Sequence, residues 1–149
     1  MLRHGHAEPH AGSDALRRLT THGRQEVLQS AAQLIGRPLE AILCSPYVRA
    51  RQTAELVVEA LQSRLIIEIV PWLTPESSLG SALAYLAARP ESELLVVSHQ
   101  PLIGDLAGML EHGHRQQALP MATAGLAELV GDMPLAGGMQ LDSLFQPHK

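Results

Sequence analysis

The chain has 149 residues, a hydrophobic fraction of 46% and a formal net charge of −4 at pH 7. This is the profile of one globular domain, residues 1–149, able to bury a core without disulfide staples. The acidic balance and an aromatic content of only 3% argue against a nucleic-acid binder. No apolar run reaches the length of a membrane span, and no basic segment precedes an apolar one as in a signal peptide. The single cysteine, Cys44, has apolar neighbours and reads as a buried thiol. No membrane partner is therefore expected, and a reducing cytoplasm is the expected setting.

Taken in chain order, Met1 and Leu2 lead straight into Arg3-His4-Gly5, and residues 4–19 read as a loop holding Pro9, Gly12 and Ser13. Thr20 or Thr21 can cap a helix running to about Ile35, with an apolar stripe of Val27, Leu28, Ala31, Leu34 and Ile35. Gly36 and Pro38 end it. "LEAILCS" (39–45) suits a buried strand. Ser45 then offers an N-cap and Pro46 a first helical residue, for a helix reaching about Gln62. "RLIIEIV" (64–70) is β-branched and reads as a strand, and Pro71 and Pro75 bracket a loop. A helix is predicted from about Leu79 to Ala88. "ELLVVSH" (93–99) is the clearest buried strand, and the helix after it opens at Pro101. Strands at 123–130 and 138–145 close the chain, one of them a candidate for antiparallel pairing. The alternation predicts a three-layer α/β/α sandwich with a mostly parallel central sheet.

In open α/β sheets, ligands bind beyond the carboxyl ends of the strands. Three predicted strands end in Arg3-His4-Gly5, in Ser45-Pro46 with Arg49 one turn on, and in Ser98-His99. Parallel strands would bring Arg3, His4, Arg49 and His99 to one edge. Guanidinium forks match the oxygens of a tetrahedral dianion, and helix N-termini add N–H groups. Neighbouring cations oppose protonation of an imidazole, so one histidine can act as a neutral nucleophile. Gly5 would let backbone and substrate approach closely. Taken singly, His6 and His10 read as ordinary surface residues.

"RHG" at the N-terminus, "SPYVRARQT" at 45–53 and "VVSHQP" at 96–101, in that order and spacing, resemble the histidine phosphatase superfamily, also called phosphoglycerate mutase-like. The likeness runs from Arg3 to about Leu129. The short length, "SDALRRLTTHG" at 13–23 and "WLTP" at 72–75 are similar to its compact SixA-type branch. The resemblance implies a phosphoglycerate mutase-like fold and a phosphohistidine phosphatase with His4 as nucleophile. It makes Arg3, Arg49 and His99 the groups that bind and polarise the phosphoryl group, with Arg17 a further phosphate-facing arginine. No metal and no cofactor are implied.

Two departures qualify it. Many members carry a Glu acid just after the third strand, where this chain has Trp72, with Glu76 later. A missing acid matters less for a phosphohistidine, whose imidazole leaves easily, than for a phosphate ester. Asp14, or else Glu8, is the candidate proton donor. The apolar strand that usually precedes RHG is reduced to two residues, so a truncated first strand is expected, with ladder groups left unpaired. Between Ser45 and His99 there is no room for an inserted cap. An open site suits a phosphohistidine on another protein, such as a histidine phosphotransfer domain or a phosphocarrier, with the enzyme itself a monomer. Other readings are a small phosphomonoesterase of the same superfamily, a non-catalytic phosphate-recognition module, and a metal site built from "HGH" at 4–6 and at 112–114.

Overall fold

The computed structural model describes residues 1–147. One six-stranded sheet organises them. Its strands are β1 (Leu2–Arg3), β2 (Ala41–Cys44), β3 (Ile67–Ile69), β4 (Leu94–Ser98), β5 (Leu126–Val130) and β6 (Gln140–Phe145), in spatial order β3-β2-β4-β1-β5-β6. The first four are parallel neighbours; β5 runs antiparallel to β1, and β6 antiparallel to β5. One member of the final pair is thus reversed against the parallel set.

Four α-helices cover the sheet: α1 (Thr21–Ala32), α2 (Val48–Ala60), α3 (Leu79–Ala87) and α4 (Leu102–His112). Side chains alternate across each strand, so neighbouring residues serve opposite layers. Ile42, Cys44, Leu95 and Val97 pack with Val27 and Ala31 of α1 and Ala54 and Val57 of α2. Leu43 and Val96 face the other way, onto Leu79 and Leu86 of α3 and Leu102, Leu106 and Leu110 of α4. The result is the expected α/β/α sandwich. Both faces are buried, which is why the strands read as continuous apolar runs.

Several boundaries differ from the sequence reading. Thr20 does cap α1, its hydroxyl accepting from Gly23 N–H, but the helix stops at Ala32. Ile35 and Leu28, assigned to the apolar stripe, lie exposed, while the polar Glu26 and Ser30 are buried. Helix α2 starts at Val48 with Tyr47 as N-cap residue, two positions after Ser45. Strand β3 keeps only three residues of 64–70 because it is an edge strand paired on one side, and Ile66 points outward.

Strand β1 holds two residues at the centre of the sheet. On its N-terminal side lies a cavity of about 850 Å³ between β4 and β5. It sits at the opposite end of the strands from His4.

Candidate active site

The carboxyl ends of β1, β2 and β4 deliver His4, Ser45 and His99 to one place, and the first turn of α2 adds Arg49. His4, Arg49 and His99 are all buried. The two imidazole rings lie 5.0 Å apart, centre to centre. Tyr47 completes the wall, its ring 5.0 Å from that of His99 and 5.0 Å from the Arg49 guanidinium.

Local packing fixes His4. Its N–H donates to Ser98 O on β4, and its carbonyl accepts from Ala124 N–H. Ala124 holds φ at 56°, a left-handed geometry unusual for a residue with a side chain. Packing against α1 by itself requires a glycine at Gly5. A Cβ there would lie 2.6 Å from Gly23 O and 2.8 Å from Val27 Cγ2, both on α1. Its N–H donates to the buried Thr53 hydroxyl, which donates in turn to Arg49 O.

The tautomer of His4 follows from its partners. Nδ1 lies 2.7 Å from Gly5 O, and a carbonyl can only accept, so Nδ1 carries the proton. Nε2 is left with its lone pair, and Arg49 Nε–H points at it from 3.3 Å. Burial, then Arg49, Arg3 and Arg17, push the His4 pKa down to about 3, against the opposing pull of the Gly5 carbonyl. His99 is pushed down to about 2, chiefly by burial and then by His4 and Arg49. Both rings are neutral at pH 7.

His99 Nε2 lies 2.7 Å from Ser45 Oγ, while its Nδ1 is buried with no partner in the protein. Ser45 therefore orients an imidazole instead of capping α2. Arg3 is similarly half committed. One Nη donates to Met121 O, and its Nε is buried and unpaired. Burial holds the Arg3 pKa below its ordinary value, with Glu26 pulling it back up. Orphaned buried polar atoms are rare, and among the described residues these two belong to side chains named for the site.

Arg17 and Asp14 sit at the mouth. Arg17 donates to Glu8 O and pairs with Asp14 Oδ1 at 3.0 Å. Asp14 Oδ2 pairs with Arg49 Nη2 at 3.1 Å, and Asp14 O accepts from Arg49 Nη1 at 2.7 Å. Hydrogen bonds from Arg17 and then Arg49 outweigh the modest cost of burial and hold the Asp14 pKa below its ordinary value. In this state Asp14 is ionised, the opposite of what a proton donor requires. Glu8 contributes a backbone carbonyl. Trp72 stacks on Tyr85, and Glu76 accepts from the Tyr47 hydroxyl at 3.0 Å. The six site residues named from sequence thus converge, with Asp14 in a different protonation state from the one expected.

Three contributors escaped the sequence reading: Thr53, Ser45 in its present role, and Glu26. The Glu26 carboxylate is buried and accepts from His6 N–H and from the Thr123 hydroxyl, tying the Arg3-His4-Gly5 turn to α1 and to the segment that holds Arg3. A buried Glu on a capped amphipathic helix was the available signal. His6 lies on the surface with Nδ1 3.0 Å from the Thr20 hydroxyl. Among the described residues, no three His, Cys, Asp or Glu side chains gather as a metal site.

The model of the histidine phosphatase superfamily (branch 1) matches residues 1–74, a span that includes Arg3, His4, Arg17 and Arg49. The phosphohistidine phosphatase SixA of Escherichia coli K12 is 40% identical over 115 residues, 74% of this chain and 71% of the relative. A SixA homologue of Haemophilus influenzae is 33% identical over 144 residues, 89% of this chain and 87% of the relative. Among solved structures, the protein histidine phosphatase SixA complexed with tungstate superposes with a TM-score of 0.87 at 34% identity, covering 98% of this chain and 94% of that one. With Arg3, His4, Arg49 and His99 gathered at the strand ends and these relatives alongside, the chain belongs to the histidine phosphatase superfamily.

Proposed function

We propose that this protein is a phosphohistidine phosphatase that works through a transient phosphohistidine on His4. The observation that carries the proposal is the His4 lone pair. Nε2 is unprotonated because the Nδ1 proton is committed to Gly5 O, and the Arg49 guanidinium and the His99 ring stand beside it. The SixA relative that binds tungstate, a tetrahedral oxyanion, supports the same chemistry.

In the first step Nε2 attacks phosphorus, the P–N bond to the substrate imidazole breaks, and that imidazole leaves with its electron pair. Water then attacks phosphorus, the bond to His4 breaks, and phosphate departs with His4 restored. Arg3 Nε–H, the Arg49 fork and Arg17 neutralise charge on the equatorial oxygens throughout. Ser45 Oγ accepts a hydrogen bond from Tyr47 N–H, and its hydroxyl donates one to the unprotonated His99 Nε2. His99 Nδ1 then holds a proton and donates it, as a hydrogen bond, to the phosphoryl group. The guanidinium groups supply the charge neutralisation that metal ions give in other phosphoryl transfers, so the steps need no metal.

Substrate class follows from shape and from leaving group. Only α2, β3, one short turn, α3 and β4 lie between Ser45 and His99, which leaves no inserted cap over the site. A phosphohistidine on a histidine phosphotransfer domain or phosphocarrier can reach it. No carboxylic acid is poised to protonate an alkoxide, whereas imidazole leaves without strong help. Such a partner, together with the buried Cys44, whose thiol burial pushes up to about 12, supports a cytoplasmic setting. Among the described residues no helix is long and apolar enough to cross a membrane.

The test is phosphate release from phosphohistidine proteins and common phosphomonoesters, with trapping of acid-labile phosphate on the enzyme. His4→Ala should abolish both turnover and labelling while keeping the circular dichroism spectrum. Labelling that survives in His4→Ala would remove the nucleophile assignment. A sugar phosphate hydrolysed faster than every phosphohistidine protein would overturn the substrate class alone.

A further inference from the structure

The phosphoryl site contains an anion of its own. Arg49 is buried, and both of its terminal nitrogens bond to Asp14, one to the carboxylate and one to the backbone carbonyl. Arg17 holds the other carboxylate oxygen. Asp14 therefore occupies the arginine faces that an incoming phosphoryl group needs. Its charge is felt inside the pocket as well, acting on His99 and on Tyr47.

Asp14 is also placed to move. It opens a single turn of 3-10 helix, Asp14–Leu16, in which no residue is buried. Its flank at Ser13 is extended and makes no side-chain cap. The Asp14 side chain is 56% exposed, whereas that of Arg49 is 5% exposed. One partner is thus anchored in the core and the other rides on a surface turn. The Asp14 half of the pair is the solvent-exposed one, so water takes over its hydrogen bonds when the carboxylate is displaced. A phosphoryl dianion carries more charge than a carboxylate and offers more oxygens to the same forks. The two anions cannot share Arg49 without like-charge repulsion in a site of low effective dielectric.

Resting on the phosphatase reading of this site, we propose that Asp14 is a built-in competitor for phosphate: its carboxylate holds Arg49 and Arg17 in the empty site, is displaced when the phosphoryl group binds, and returns as inorganic phosphate leaves. The residue thereby sets anion affinity and favours product release. A substrate that arrives on a docked protein has further contacts with which to displace it, whereas free phosphate has none. The competitor consequently weakens product inhibition more than it weakens substrate binding.

The experiment measures binding of inorganic phosphate, by calorimetry and by competitive inhibition of turnover, in the wild type, Asp14→Asn and Asp14→Ala. Removing the competing charge should tighten phosphate binding about tenfold in both variants, the effect of one half-exposed charge at a few ångströms. Unchanged or weaker binding would overturn the proposal, because it would make Asp14 a group that only preorganises the arginines. A second measurement uses the wild type alone. The 13C signal of the Asp14 carboxyl should titrate below the ordinary aspartate range in the free protein and shift upward on saturation with phosphate. A titration that does not move on phosphate binding overturns the displacement. Arg49→Ala separates the two levels of inference: if phosphate binds equally well without Arg49, the phosphoryl-site assignment fails, whereas a loss of binding with no Asp14 effect refutes the competitor alone.

Discussion

A polypeptide that begins at Met1 should gain substantial stability from a short strand added ahead of it. Met1 and Ala127 exchange both backbone bonds, as residues within an antiparallel ladder do, and Leu2 faces Val97 on the other side. The line of β1 then runs into the cavity of about 850 Å³, whose walls include Leu34, Leu39, Leu86, Leu95, Leu110 and Leu129. Among the described residues, Leu94 and Leu95 of β4 pair with no strand on this side, and neither does the inner edge of β5 past Ala127. Leu2 packs toward α1 and α2, and Met1 toward α3 and α4, so residues ahead of them should alternate between two apolar faces. Three residues span about 10 Å. A Lys-Val-Ile-Val segment fused before Met1 suits the site.

Each added apolar side chain gains about 1.5–3 kcal/mol on burial, and each ladder bond about 1 kcal/mol. Ordering each residue costs about 2 kcal/mol. The net is about 1 kcal/mol per residue, or about 3 kcal/mol for the segment. For a chain of this size that is a rise in Tm of about 6–12 °C. A second signature comes from the Met1 ammonium, which burial pushes from 8.0 down to about 5, with Glu128 opposing. Between those values the unfolded chain binds more protons than the folded one, so this group makes stability rise as pH climbs from 5 to 8. Its cost is about 1 kcal/mol at pH 7 and about 4 kcal/mol below pH 5. Fusion turns the ammonium into an amide and should flatten that part of the profile. The assay is thermal unfolding at pH 5, 6, 7 and 8 for the 149-residue chain, the fusion and a Gly-Ser control of equal length. A fusion no more stable than the control, or one that keeps the pH slope of the unextended chain, would refute the reasoning.

Three further outcomes are expected. Arg49→Lys keeps the charge but loses the fork that holds His4 Nε2 and faces the phosphoryl oxygens, so kcat/KM should fall about 10²–10³-fold in steady-state assays with little change in Tm. Ser45→Ala frees His99 Nε2 and should lower kcat about 10–100-fold with a smaller change in KM, as for loss of a group that orients another. With His4 and His99 held at about 3 and about 2, kcat/KM should show no falling limb near pH 6.5 on acidification. The unfolded histidines take up protons near pH 6.5, so these two also make urea resistance decline as pH drops from about 6.5 toward 3, a slope that His99→Asn should reduce.

The parts of the fold legible in the sequence are those set by local pattern. Runs such as "LEAILCS" and "ELLVVSH" are apolar throughout because both sheet faces are covered, and they fall on β2 and β4. The parts that were not legible depend on distant partners. Ser45-Pro46 has the local chemistry of a helix start, yet the Ser45 hydroxyl is engaged by His99, 54 residues away, and α2 begins later. Leu28 fits an apolar stripe by spacing, but α1 is rotated to bury Glu26 and Ser30, whose side chains bond to Thr123 and Ala124. Asp14 could be read as a proton donor from its residue type and neighbourhood. Its ionisation depends on where the Arg17 and Arg49 side chains end.

Charge at the site follows the same division between local and distant. A chain of net charge −4 still concentrates Arg3, Arg17 and Arg49 around a neutral imidazole, so net charge says little about the pocket. What matters is where the compensating carboxylates stand. Glu26 lies behind Arg3, buried and bonded to the backbone of His6 and to Thr123, and no ligand entering the pocket can displace it. Asp14 lies in front, on an exposed turn, and bonds directly to the guanidinium that must receive phosphate. Buried pairing behind an arginine fixes its position, whereas exposed pairing in front of it occupies its function. The two carboxylates should therefore fail differently. Glu26→Gln should lower Tm and kcat together by loosening the turn that carries His4, and Asp14→Asn should leave Tm nearly unchanged while tightening phosphate.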